Sequence, residues 1–423
     1  MARQMKDSGI EWIGNIPTDW DTDRLQWHLE EIKVLNSPVQ SEKVLSLTIE
    51  SGVIPYEEKG NQGNKSKENY EEYKLAYPDT LVVNSMNVII GAVGISKYFG
   101  CVSPVYYVFK ATEGTDLRYI YYLFTNIGFQ KELRKYAKGI LEIRLRISAS
   151  EMLKRIIPKP SYEEQCRISD FLDKKCAEID EVIKKTRTTI DEYRKFRQSI
   201  IDNAVTHGIR VNREMKDSGI QWTKKIPVEW ESTAPKALFA LRKDKAQAGE
   251  KQLTASQQYG VIYQDEYMEL TGTRIVTVEK DFDILKHVEA GDFVISMRSF
   301  QGGLEYSEKT GSISSAYVML IPDLNLVYPR FYKWLFKSSV YINALQSTSN
   351  LVRDGQAMRY SNFAQVRLYT VPLDEQKEIA DYLDKKCAEI DTLIEKKTAL
   401  LAEMETYKKS VIYEYVTGKK EVL

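Results

Sequence analysis

Through two stretches of the chain, apolar residues recur at alternating intervals of four and three. The first runs Leu172, Cys176, Ile179, Ile183, Thr186, Ile190, Tyr193, Arg197, Ile200, Ala204. The second runs Leu383, Cys387, Ile390, Ile394, Lys397, Leu401, Met404, Lys408, Val411, Tyr415. This heptad spacing, sustained over more than four repeats, predicts two long helices with a coiled-coil seam. Neither Gly nor Pro occurs from Ser161 to His207 or from Leu373 to Thr417, and Gly208 and Gly418 follow as C′ glycines. Ser161 and Glu164 have capping-box spacing. Helices over 161–208 and 372–423 follow, each roughly 65 Å long at 1.5 Å per residue. Each copy interrupts its seam at equivalent places, Thr186/Lys397 and Arg197/Lys408. Those breaks are either a solvated gap or a device that fixes register and orientation at some cost in stability.

The two seams belong to a duplication. "FLDKKCAEIDEVI" (171–183) returns as "YLDKKCAEIDTLI" (382–394), ten of thirteen positions identical at an offset of 211. "MKDSGIEWIGNIPTDW" (5–20) returns as "MKDSGIQWTKKIPVEW" (215–230), "GVI" at 52–54 returns at 260–262, and "VSPVYYV" (102–108) faces "ISSAYVM" (313–319). The chain order is therefore block (1–160), helix (161–208), block (209–371), helix (372–423). A lone helix of this kind has no cover for its stripe, and the nearest partner is its twin. Packed antiparallel, the pair is expected to form a rod with a globular block at each end and an approximate twofold axis. Cys176 and Cys387 would then lie far apart and not pair.

The blocks mix periods. "TLVVNSMNVIIGAVGI" (80–95) and "DFVISMRSFQGG" (292–303) predict strand–turn segments, and 105–109 and 316–321 predict strands. Residues 117–137 and 328–346 have helical periodicity with aromatic faces. The fold class is α+β: two globular α+β blocks separated by two long antiparallel helices, with a pseudo-twofold internal repeat.

Composition narrows the function only slightly. Lys+Arg and Asp+Glu balance at 60 each, so a DNA-binding face, if present, is local. No apolar run is long enough to span a membrane, and the N-terminus lacks a signal-peptide core. Four cysteines without CxxC spacing read as reduced thiols, which points to the cytoplasm. His28, His207 and His287 share no metal spacing, and no P-loop or dinucleotide fingerprint occurs. Asp323 precedes Glu375-Gln-Lys377, a nuclease-like pattern that a charged sequence produces by chance. No catalytic residue, metal ligand or cofactor is assigned to this chain.

"MKDSGIEWIGNIP.DW", the "VNSM…GAVG…VSPVYYV" core and the EQ-x-x-I-x-x-[FY]-L-D-K-K run (Glu164 to Lys175, Glu375 to Lys386) resemble the specificity subunit of type I restriction–modification systems, across essentially the whole chain. The resemblance implies two target-recognition domains joined by long antiparallel helices. Each domain would read one half of a split double-stranded DNA target, with the helices as spacer. It also implies a non-catalytic subunit that recruits two modification subunits, which carry S-adenosylmethionine and methylate, and restriction subunits that use ATP and Mg. The rival expectations are a non-catalytic scaffold spacing two protein-binding domains and a stand-alone nuclease or methyltransferase.

DNA reading needs cations for phosphate and bidentate side chains for base edges. In the first block the candidates are Asn84, Ser85 and Asn87 in the strand–turn, Lys97 and Tyr98 beyond it, and Lys131, Arg134, Lys135, Lys138, Arg144 and Arg146 in the basic stretch. In the second they are Arg298, Ser299 and Gln301 on a glycine-rich turn, with Arg353 and Arg359 further along. Lys243 and Lys245 read better as a solvated charge run. Apolar positions off the seam, such as Phe171, Val182 and Ile201, are expected either to pack on the blocks or to dock the modification subunits.

Overall fold

A computed structural model describes residues 3–59, 69–139, 145–278, 284–348 and 358–422. Arg144 and Arg353 lie outside the described residues. The chain divides into two units: 1–187 with 399–423, and 188–398. The division cuts through both long helices, so each unit owns a block plus one end of each helix.

Both helices are continuous, Tyr162–His207 over 46 residues and Leu373–Val416 over 44. Within the first unit their segments run antiparallel. The tilted rings of Phe171 and Tyr415 lie 4.3 Å apart between centroids, Asp180 pairs with Lys408 at 2.6 Å, and Arg187 pairs with Glu405 at 2.9 Å. Numbers rise along one helix as they fall along the other. In the second unit Arg197 pairs with Asp391 at 2.8 Å. One of the two seam breaks, Arg197/Lys408, thus has a partner in each copy, and those partners, Asp180 and Asp391, are themselves 211 residues apart. Such half-exposed pairs contribute only about 0.2–1 kcal/mol each.

Leu172, Cys176, Ile179, Ile183, Thr186 and Ile190 are buried, as are Leu383, Cys387 and Ile390. Ile394 and Leu401 are only half-buried, so the predicted seam loosens along the second helix. Toward the end of the first helix the buried face shifts to Ile201, Ala204 and Val205, which join the core of the second block. All four cysteines are free thiols.

The two blocks repeat one topology. In the first, a four-stranded antiparallel sheet has the order Leu29–Glu31, Tyr106–Ala111, Thr80–Asn84, Val93–Ser96. In the second, the order Phe239–Leu241, Val318–Pro322, Phe293–Ile295, Glu305–Tyr306 is equivalent, strand for strand. Each sheet is accompanied by a hairpin, Leu45–Thr48 with Gly52–Pro55 and Leu253–Ser256 with Gly260–Tyr263. The predicted helical stretches each divide in two. Asn126 ends Leu117–Thr125 and caps Ile127–Lys135 by accepting from the Gly128 and Phe129 N–H groups. Ser338 does the same between Pro329–Leu335 and Ser339–Ser347, accepting from Tyr341 N–H. A short polar side chain that satisfies N-terminal donors outweighs the continuous periodicity.

The same side chains fasten each long helix to its block. Glu164 accepts from Arg3 at 2.7 Å and from the Trp20 indole at 2.8 Å, while Arg3 also reaches Asp19 at 2.9 Å. Glu375, fully buried, accepts from Arg213 and from the Trp230 indole at 3.1 Å, while Arg213 reaches Glu229 at 2.8 Å. Gln165 accepts from Asp116 N–H at 3.0 Å, and Gln376 accepts from Tyr328 N–H at 2.7 Å. Arg118 bridges Asp170 and Asp173 as Arg330 bridges Asp381 and Asp384. The carboxylates and amide of the EQ-x-x-I-x-x-[FY]-L-D run are therefore engaged in docking the helix. Ser161 caps the first helix by accepting from Glu164 N–H at 3.3 Å, but the Glu164 carboxylate, occupied by Arg3 and Trp20, does not complete the box.

Candidate nucleic-acid interface

In each unit, the turn that leaves the central sheet lies beside the tip of the accompanying hairpin. In the first unit the hairpin packs on the strand that follows the turn: a Cβ on Gly94 would sit 3.0 Å from the Gly52 Cα, so two glycines allow the close approach. The hairpin and the 84–87 turn wall a groove of about 790 Å³ lined by Ser46, Thr48, Ser51, Asn84, Met86, Asn87 and Ser103, among others. The turn itself is built by its own side chains. Asn84 is buried and accepts from Met86 N–H at 3.0 Å. Ser85 is also buried, and its carbonyl accepts from Ile147 N–H at 3.1 Å. Both residues shape the turn; Asn84 also lines the groove, whereas buried Ser85 does not, which corrects the expectation that Ser85 faces a ligand. Asn87 and Ile90 are exposed.

The Ser85 contact gathers part of the basic stretch. Lys138 and Arg146 exchange backbone hydrogen bonds of 2.7 and 2.8 Å, and Ile147 joins this bridge to the turn. The side chains of Lys131, Arg134, Lys138 and Arg146 are exposed. Lys135 is exposed as well but pairs with Glu11 at 2.8 Å and Glu132 at 3.0 Å; those hydrogen bonds hold its pKa above the ordinary lysine value. To meet a phosphate it must exchange those partners. Lys97 and Tyr98 do not join this group. The strands 80–84 and 93–96 pair antiparallel, so Lys97 follows the far end of the ladder, roughly 13 Å of strand from Asn84. Tyr98 is half-buried under Lys43, whose Nζ lies 4.3 Å from its ring.

The second unit has a tighter turn. Ser299 is buried; its hydroxyl accepts from Ser296 N–H at 2.8 Å. It therefore anchors the turn from beneath and does not face outward, contrary to its sequence assignment. Gly303 has φ +78°, and a Cβ there would strike the Phe336 carbonyl oxygen at 1.9 Å. Lys337 donates to Gly302 O at 2.9 Å and pairs with buried Glu305; burial raises the Glu305 pKa, and the Lys337 charge opposes that. With its base pinned, the turn presents Met297, Arg298 and Gln301 to solvent. The Arg298 charge also acts on half-buried Tyr317, where burial raises the phenol pKa and Arg298 opposes it. Arg359 is exposed at the start of the helix Tyr360–Gln365. Lys243 and Lys245 are exposed.

The hairpin tips were not among the sequence candidates. Ile49, Glu50 and Ser51 form one tip; Gln257, Gln258 and Tyr259 form the other, and all six are exposed. Gln257 donates to Arg298 O at 3.4 Å and overlies Gly302, where a Cβ would meet its side chain at 2.6 Å. The repeated "GVI" just after each tip was the available signal. Among the described residues no cluster of His, Cys, Asp and Glu is arranged to hold a metal, and no helix is long and apolar enough to cross a membrane.

No protein-family model matches the chain. A putative type I restriction enzyme MjaX specificity subunit of Methanocaldococcus jannaschii is 24% identical over 449 aligned positions, which cover 97% of this chain and 96% of that protein. A chain solved in work on the complex assembly and conformational transition of the type I R-M system matches with a TM-score of 0.69 at 13% identity, across 96% of this chain and 99% of its own. The HsdS subunit from Thermoanaerobacter tengcongensis matches with a TM-score of 0.50 at 12% identity, across 96% and 98%. At those identities the structures establish the shared fold. The likeness to type I specificity subunits, read first in the repeated motifs, thus extends along the whole chain in both sequence and fold.

Proposed function

We propose that this chain is the DNA-recognition subunit of a type I restriction–modification complex, reading a split, asymmetric target with one block per half-site. The observation that carries the proposal is the full-length likeness to specificity subunits. The internal architecture supports it: one topology is used twice, and the exposed turns on it differ. Phosphate contacts are assigned to Lys131, Arg134, Lys138 and Arg146 in the first unit, with Lys135 available once released from Glu11 and Glu132. Base-edge contacts are assigned to Asn87 in the first unit and to Arg298 and Gln301 in the second; Arg359 is a further cation of that unit.

In this reading the chain catalyses nothing. Two modification subunits supply S-adenosylmethionine-dependent methylation, and restriction subunits supply ATP- and Mg-dependent cleavage. The duplicated helices offer two equivalent docking faces, with exposed Val182 on the first and Leu393 at the matching place on the second.

The test is selection from random double-stranded oligonucleotides, using the full chain together with its host's modification subunit. Two short blocks at fixed spacing are expected. A selection with no enriched motif would return the chain to a scaffold that spaces two protein-binding domains. Methylation or cleavage of DNA by the purified chain alone would overturn the non-catalytic assignment.

A further inference from the structure

Deepening the DNA-recognition reading, on which it rests, we propose that Gln257, Gln258, Arg298 and Gln301 form a single purine-reading surface on the second unit, with the hairpin tip as a specificity determinant equal to the glycine-rich turn. The four side chains lie on two adjoining turns and are all exposed. The turns touch: Gln257 Nε2 donates to Arg298 O at 3.4 Å, and the Gln257 side chain rests over Gly302, where no larger residue fits without displacing it. Both turns are held from behind. Ser299 and Ser296 close one, the Lys337–Glu305 pair clamps it, and a regular four-pair ladder from Leu253↔Tyr263 to Ser256↔Gly260 carries the other. Their exposed groups are thus presented by rigid supports.

The chemistry is selective. Guanidinium matches the O6 and N7 acceptors of guanine; a carboxamide matches the N6 donor and N7 acceptor of adenine. Three carboxamides and one guanidinium, with no carboxylate among them, address purine edges in the major groove. After its bond to Arg298, Gln257 keeps its oxygen and a second N–H for a base. The corresponding tip in the first unit, Ile49-Glu50-Ser51, has no such set. Its Glu50 lies 3.9 Å from Arg187. The two half-sites should therefore differ in kind.

The experiment compares the full wild-type chain with Gln258→Ala, Gln257→Ala and Arg298→Ala, each with the modification subunit. Binding is measured to the selected duplex and to duplexes carrying 7-deazaguanine or 7-deazaadenine, which lack the N7 acceptor, at single purines. In one half-site, 7-deaza substitution should weaken wild-type binding by about 5- to 150-fold. Gln258→Ala and Arg298→Ala should each lose that sensitivity at different purines of the same half-site, with the other half-site unchanged. A split motif whose preferences survive Gln257→Ala and Gln258→Ala overturns this inference alone. Equal weakening on every sequence also overturns it, since that is the mark of phosphate contact. If the wild type selects no motif, the recognition reading fails and this inference falls with it.

Discussion

Replacing Glu375 by Gln should unfasten the second unit while leaving the first intact. Glu375 has no exposed side-chain surface and Arg213 only 10%. The carboxylate takes both terminal nitrogens of Arg213 and the Trp230 indole. Removing one partner of a buried ion pair costs about 3–5 kcal/mol, because the other charge stays buried. Here the cost belongs near the lower end. Glu229 remains 2.8 Å from Arg213, half-exposed, and a Gln oxygen still accepts from Trp230. The expected loss is about 3 kcal/mol, or roughly a hundredfold in the opening equilibrium. Glu164→Gln in the first unit should cost less, about 2 kcal/mol, because water reaches Glu164 and Arg3, at 13% and 18% exposure. A chain of two units need not unfold in one step, so hydrogen exchange followed by mass spectrometry is the suitable assay, each unit being the other's reference. Glu375→Gln should speed exchange in the second block's slowest amides about a hundredfold and leave the first block's unchanged. Adding Arg213→Met should recover part of the loss. Equal acceleration in both blocks, or a change below threefold, would refute the reasoning.

Other consequences are as specific. His287 sits between Glu250 and Glu289, at 2.7 and 2.9 Å; burial works against its proton, but the two carboxylates prevail and raise its pKa above 6.5. Its stabilising contribution is full below pH 6.5 and is lost as pH rises through the raised folded value. Burial lowers the His28 pKa below 6.5 despite Asp23, so the first unit should lose stability as pH falls from 6.5 toward that lower folded value. Hydrogen exchange across pH should show opposite trends in the two units, each abolished by the His→Gln variant. Gly303→Ala forces a Cβ onto the Phe336 carbonyl at φ +78°; a loss of about 3 kcal/mol or more in the second unit is expected by the same measurement. Lys131→Ala, Lys138→Ala and Arg146→Ala should each weaken DNA binding on all sequences alike and reduce the salt slope by about 1, read from affinity titrations at several salt concentrations. A base-dependent loss would reassign that residue to base reading.

The helices were legible because their signal is local: a sustained heptad and the absence of Gly and Pro, bounded by Gly208 and Gly418. Their orientation was legible because duplicated stripes have each other as nearest cover. What periodicity missed depended on single polar atoms. Asn126 and Ser338 break helices whose apolar spacing runs straight through them. Ser85 and Ser299 look like readers by residue type, yet their burial shows them used inside the turns. Lys97 was grouped with Asn84 by proximity in sequence, and the strand ladder separates them. The hairpin tips were invisible for another reason. Their contact with the sheet turns spans about forty residues, and nothing in Gln257-Gln258 announces which turn it will meet.

The pattern of what the duplication kept and what it let change bears directly on function. Arg3 and Arg213, Trp20 and Trp230, Glu164 and Glu375, Asp173 and Asp384 all recur, and each pair has the same duty inside its unit. Even Lys74 and Lys286 donate to matching carbonyls, of Tyr106 at 2.7 Å and Tyr317 at 2.6 Å. These side chains are committed to packing and docking, where a change leaves a buried group unpaired. The exposed turn residues carry no such penalty and have diverged: Ile49-Glu50-Ser51 against Gln257-Gln258-Tyr259, and Asn87 against Arg298, although the methionine before each is shared. A symmetric DNA site requires both surfaces to offer the same donors and acceptors. One surface offers Asn87 beside Glu50, the other an arginine among three glutamines. If these surfaces read DNA, the target they select is asymmetric, and swapping the two hairpin tips should exchange preferences between half-sites without touching the frame.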